Sequence, residues 1–125
     1  MKVVAFSKKG FLSEKLADQT MYFTNPGDFL SLMYYASFIV TTSFHGTAFC
    51  INLNKQFFVY LPTGFGTRIT SILDMCSLRN RLLDSNKVIS DEQLNMGEID
   101  YAPVMGIIDR ERRKSIAFLQ NALRD

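Results

Sequence analysis

Apolar and polar positions along this chain keep two different rhythms. Short β-branched or aromatic runs at 2–6, 38–42 and 56–61 are each bounded by polar or turn residues, and they predict buried strands. Between them, apolar positions recur at intervals of three and four. Phe29, Leu32, Met33 and Ala36 form one such set, Phe44, Thr47, Ala48 and Ile51 a second, and Ile69, Ile72, Leu73 and Cys76 a third. Each predicts a helix with one buried stripe. A further short strand is expected at 21–24, whereas 11–19 fits neither rhythm.

Start signals sharpen the boundaries. Asn25-Pro26-Gly27-Asp28 places a capping side chain, a proline suited to the first helical position and an acid favourable to the dipole in succession. Thr42 or Ser43 can cap the helix that follows the run starting at Phe38. The polar stretch 84–98 reads as a connector with a short helix begun by Ser90, whose Gln93 completes a capping box. A last helix over 101–123 carries Val104, Ile108, Leu119 and Leu123 on its apolar side.

Strands and helices in alternation with short connections predict an α/β fold, a Rossmann-like parallel sheet flanked by helices, in a single domain of 125 residues. Ligands of such sheets collect beyond the carboxyl ends of the strands. The only histidine, His45, falls there, in a strand-to-helix turn followed by Gly46. A helix N-terminus presents unpaired amides and the positive end of a dipole, and glycine permits close approach of a ligand to the backbone. An imidazole in that place can donate to an anion or exchange a proton near neutral pH. Closing the turn in a satisfied hydrogen-bond network is the structural alternative.

Composition narrows the chemistry. With 47% hydrophobic and 21% charged residues the chain is an ordinary globular one, and a net charge of +2 gives no ground for nucleic-acid binding. No apolar run approaches the roughly 20 residues of a membrane span, and the start is unlike a signal peptide. The cytoplasm is therefore expected, with the inner face of the membrane open to peripheral docking. Cys50 and Cys76 sit in apolar helical patterns without Cys-x-x-Cys spacing, so they are expected as buried hydrophobes, and no metal or cofactor is expected.

Three cationic groups invite comparison. Arg68 stands in the first turn of its helix, where a cation opposes the dipole, and so suggests an anionic partner. The Gly64-Phe65-Gly66 loop before it is weak evidence for phosphate binding. Arg79 and Arg81 follow the helix, where cations are simply stabilising. Arg110, Arg112, Arg113 and Lys114 form a basic cluster beside Asp109 and Glu111, best read as a solvated face with local ion pairs, with anionic lipid head groups as the alternative.

Several ordered blocks then carry a resemblance. Asn25-Pro26-Gly27-Asp28-Phe29-Leu30, Ala36-Ser37-Phe38-Ile39-Val40, Thr42-Ser43-Phe44-His45-Gly46-Thr47-Ala48-Phe49, Arg68-Ile69-Thr70-Ser71-Ile72-Leu73, Leu78-Arg79-Asn80-Arg81, Ile99-Asp100-Tyr101 and Ser115-Ile116-Ala117-Phe118-Leu119 together resemble the C-terminal half of the polysaccharide pyruvyl transferases. The resemblance covers most of the chain from Asn25 onward. It implies half of a two-domain, glycosyltransferase-B-like enzyme that moves the enolpyruvyl carbons of phosphoenolpyruvate onto two hydroxyls of a sugar, giving a pyruvate ketal. The acceptor would be a saccharide or lipid-linked oligosaccharide, and an N-terminal half-domain absent from this sequence would supply the other wall of the cleft.

On this resemblance His45 is the acid/base or the hydrogen-bond partner of the leaving phosphate. Ser43, Gly46 and Thr47 would cradle an anionic end of the donor, and Arg68 would pair with its phosphate or carboxylate. Where some members carry an arginine two residues before the histidine, this chain has Ser43. The anion charge then falls to Arg68, to helix amides or to the other half. Alone, the chain is expected to bind the donor weakly without turnover. Two other functions fit the same pattern: a nucleotide-sugar glycosyltransferase, which predicts an acidic residue after the 56–61 strand, and a non-catalytic binding or assembly module with a large exposed apolar face.

Overall fold

A computed structural model of the chain describes residues 2–6, 16–22, 25–61 and 66–124. Most of the ambiguous 11–19 stretch, the end of the 21–24 strand expectation and the Gly64-Phe65 part of the glycine loop lie outside the described residues. Two compact units divide it, residues 1–35 and 36–125.

In the first unit, β1 (Val4–Phe6) pairs in parallel with β2 (Gln19–Met21). Strand β2 thus begins two residues before the expected 21–24 run, at polar Gln19 and Thr20. Pairing with β1 decides its place more than local side-chain preference does. Helix α1 (Pro26–Tyr35) starts where its signal stands, because Asn25 Oδ1 accepts the Asp28 amide at 2.9 Å while Asn25 Nδ2 donates to the Asp28 carboxylate at 3.0 Å. The Phe6 and Phe29 rings meet edge to face at 5.5 Å and tie β1 to α1.

The second unit holds a three-stranded parallel sheet in the order β3 (Phe38–Thr41), β4 (Gln56–Tyr60), β5 (Leu82–Leu83). Helix α2 (Phe44–Asn52) joins β3 to β4, and α3 (Thr67–Met75) follows β4. Register sets Ile39 beside Phe57 and Thr41 beside Val59, so these four share one face. That face packs on α2: Phe57, Val59, Thr47, Cys50 and Ile51 are all fully buried. Ile69 and Leu73 of α3 and Cys76 at its C-cap add to the core. Mixed α/β architecture with parallel strands flanked by helices is therefore what the two rhythms anticipated.

Beyond β5, α4 (Asp91–Leu94) carries the expected capping box, with the Gln93 amide donating to Ser90 Oγ at 3.2 Å and the Ser90 amide to Gln93 Oε1 at 3.1 Å. Helix α5 (Tyr101–Ala122) is capped by Asp100, which accepts the Ala102 amide at 3.0 Å. Tyr101 anchors it: its hydroxyl donates toward the carbonyls of Lys55 and Cys50, at the α2–β4 connection. Val104 is buried and Ile108 half-buried. Leu119 and Leu123, on the same stripe, are exposed.

Candidate functional site

The His45 turn is built by short-range bonds between strand end and helix start. Ser43, in extended backbone with φ −108 and ψ 139, is the cap chosen over Thr42, and its Oγ accepts the Gly46 amide at 3.1 Å. Its own amide donates to Thr41 Oγ1 at 3.2 Å. Thr47 turns back on the same residue, its amide and its hydroxyl each donating to the Ser43 carbonyl at 2.9 Å. Four residues thus lock one another.

These bonds correct the sequence-based picture of an anion cradle. The Gly46 and Thr47 amides already have acceptors, and both residues are buried. A Cβ on Gly46 would collide with Thr41 Oγ1 and lie 3.1 Å from Thr41 Cβ. It is the chain's own β3 that needs the missing side chain, rather than a ligand. Among the described residues, the amides of Phe44 and His45 and the hydroxyl proton of Ser43 are left without an acceptor in the first turn.

Arg68 meets this turn across the sheet edge. β3 and β4 run parallel, with Thr41 opposite Val59, so the helices leaving their carboxyl ends start side by side. The Arg68 guanidinium carbon stands 5.3 Å from the centroid of the Phe44 ring, and the His45 ring touches the same phenyl edge-on at 5.8 Å. His45 and Arg68 are both exposed. Arg68 forms no ion pair among the described residues. Its contact with Phe44 contributes only about 0.5–1 kcal/mol at an exposed site, so the guanidinium keeps its capacity for an anion.

A shallow cavity of about 380 Å³ lies beside it, lined by Phe44, Thr67, Arg68, Ser71, Ile72 and Met75. His45 is not among the lining residues and borders the cavity through Phe44. Helix α3 starts at Gly66 without a side-chain cap. Sequence reasoning missed Phe44 as the piece that joins histidine to arginine. Its helical periodicity marks it as core, and only the parallel pairing of β3 with β4 brings Arg68 over it.

The remaining candidates divide by burial. Arg79 forms an exposed ion pair with Asp74, its Nη1 donating to both carboxylate oxygens at 2.9 and 3.1 Å, as a cation after a helix should. Arg81 departs from that expectation: it is 4% exposed, donates through Nη2 to the Gly97 carbonyl and lies over the Phe58 ring at 6.0 Å. Its Nε has no partner among the described residues, and burial holds the guanidinium pKa below its ordinary value. Cys50 and Cys76 are buried free thiols, and burial pushes Cys50 up to about 12. Neither thiol is poised as a nucleophile.

Comparison with known proteins adds one match. Residues 7–62 match the family model of the polysaccharide pyruvyl transferases, so the resemblance seen in the ordered motifs holds over that segment. The match contains Ser43, His45, Gly46 and Thr47 and ends before Arg68. No curated protein and no solved structure is significantly similar to the chain.

Proposed function

With residues 7–62 carrying that family match, we propose that this chain forms the donor-binding wall of a polysaccharide pyruvyl transferase that uses phosphoenolpyruvate and produces a pyruvate ketal on a sugar. In this reading it is the Rossmann-like C-terminal half of a two-domain, glycosyltransferase-B-like enzyme. The facing half-domain supplies much of the site for a saccharide or lipid-linked oligosaccharide. One observation carries the reading: the single histidine and an arginine with no acidic partner among the described residues converge on the Phe44 ring at the carboxyl edge of the sheet.

The chemistry asks for an acid, for anion neutralisation and for a dry, oriented donor. A proton added to the methylene carbon of phosphoenolpyruvate makes the neighbouring carbon cationic, and the first sugar hydroxyl adds there with loss of its proton. Phosphate then leaves with the C–O bonding pair. The second hydroxyl adds to the cation that results, losing its proton in turn and closing the ketal. Of the two hydroxyl protons, one balances the proton placed on carbon and the other leaves with phosphate. His45 exchanges protons at the donor, a role worth typically about 10²–10⁴-fold in rate. Arg68 pairs with the phosphate or carboxylate, bidentately where the geometry allows.

The Phe44 and His45 amides and the Ser43 hydroxyl proton add donors at the positive end of α2. Gly46 and Thr47 are positioning residues that hold this turn against β3. A titration of the protein with phosphoenolpyruvate, UDP and inorganic phosphate, followed by NMR at the His45 ring and the Phe44 and His45 amides, tests the assignment. Shifts selective for phosphoenolpyruvate are expected, lost in His45→Ala and weakened roughly 10–100-fold in Arg68→Ala, the loss of a charge-assisted pair. A response selective for UDP would overturn it in favour of a nucleotide-sugar glycosyltransferase. Equal responses to phosphoenolpyruvate and inorganic phosphate would reduce the site to a general anion pocket.

A further inference from the structure

Helix α5 changes environment along its length, and its apolar stripe is interrupted by the charged run Asp109 to Lys114 before it resumes. Tyr101, Val104 and Ile108 face the sheet unit, with Val104 buried. Continued at helical spacing, the stripe runs through Ser115, Leu119, Ala122 and Leu123, with Ile116 and Phe118 at its margins. From Arg112 to Arg124 every residue is exposed. Ile116, Phe118, Leu119 and Leu123 stand 47%, 72%, 57% and 85% exposed on a segment of about three turns. A second apolar face, set on the helix beyond its own core and next to a basic run, has something else to cover it.

Charge identifies the cover. Residues 109–124 contain Arg110, Arg112, Arg113, Lys114 and Arg124 against Asp109 and Glu111, five positive less two negative, an excess of three. Both acids are already engaged: Asp109 with Arg112 at 2.7 Å, and Glu111 with Lys114 at 2.8 Å and Arg110 at 3.6 Å. Arg113 and Arg124 form no ion pair among the described residues. Lys114 shares a shallow surface hollow with Ser115, Phe118 and Leu119, so cation and apolar side chains occupy one face. A second copy fits poorly, since an antiparallel pairing centred on Phe118 sets Arg112 against Arg124 of the copy. An anionic surface that also accepts apolar side chains fits both properties.

We propose that the distal half of α5, residues 112–124, is an interfacial helix that lies on anionic lipid, with Phe118, Leu119 and Leu123 in the acyl boundary and the arginines and Lys114 among lipid phosphates. No helix of the described residues is long and apolar enough to cross a membrane, so the contact is peripheral. Long basic side chains reach head groups while their stems rest on the apolar boundary. The proposal stands apart from the donor site and does not depend on the pyruvyl-transfer reading.

Co-sedimentation of the full chain with vesicles tests it. Vesicles of phosphatidylcholine with about one-third phosphatidylglycerol are expected to pellet the protein, and pure phosphatidylcholine is not. Arg113→Gln with Lys114→Gln should lower partitioning roughly 25-fold, about fivefold for each charge removed. Phe118→Ser with Leu119→Ser should abolish pelleting while circular dichroism stays unchanged, since both side chains are exposed. Equal pelleting of wild type and the Phe118→Ser, Leu119→Ser variant, or none with phosphatidylglycerol, would overturn the assignment. So would a concentration-dependent dimer in light scattering that the same variant dissolves, because the cover would then be a second copy.

Discussion

At the scale of the residue, Gly46 illustrates how a site is held by groups that never touch a ligand. Its flanking pattern, a glycine after a histidine at a helix start, suggests close approach by an anion, yet the atom that approaches is Thr41 Oγ1. Gly46→Ala is therefore expected to lose about 1–3 kcal/mol of stability, the range of small overpacking substitutions. Thr41→Ala in the same chain removes the colliding oxygen, so the double variant should recover part of that loss in a denaturant titration. Simple additivity of the two changes would mean that the contact is not the cause. Phe44 makes the complementary point: a side chain with core periodicity also carries the ring on which His45 and Arg68 meet.

Among the elements, the join between α5 and the α2–β4 connection governs how the C-terminal helix is placed. The Tyr101 hydroxyl serves the Lys55 carbonyl and, at 3.3 Å, that of Cys50, while Gln56 and Ile99 exchange hydrogen bonds at 2.7 and 3.3 Å. Burial pushes the Tyr101 phenol pKa up, as expected for a hydroxyl enclosed beside carbonyls. Tyr101→Phe keeps the ring and removes the donor. Thermal melts should report a loss of about 1–2 kcal/mol, the cost of leaving a buried carbonyl without its partner. An unchanged melting temperature would assign the anchoring to ring packing and to the Gln56–Ile99 pair alone.

For the molecule as a whole, the two cysteines are reporters of the core of the second unit. Cys50 has a folded pKa of about 12 against an ordinary 9.0, raised first by burial. A raised pKa means that the folded state holds the proton more tightly, so this contribution to stability is intact below pH 9.0 and is lost as pH climbs toward 12. Alkaline unfolding should be shallower in Cys50→Ala, and a disulfide reagent at neutral pH should label Cys50 and Cys76 only at the rate of global unfolding. Fast labelling of the native protein would show that the second unit opens locally. The sequence by itself determined the alternation of strands and helices, the Asn25 and Ser90 caps, a cap at Thr42 or Ser43 and the place of His45, because periodicity, capping and turn chemistry act between neighbours in the chain. It also marked Arg68 as a cation against its helix dipole. Only the tertiary structure decided that Arg68 reaches the Phe44 ring, that Arg81 is buried over Phe58 and that α5 keeps an uncovered half, since strand pairing and burial depend on residues far apart in sequence, which no local pattern encodes.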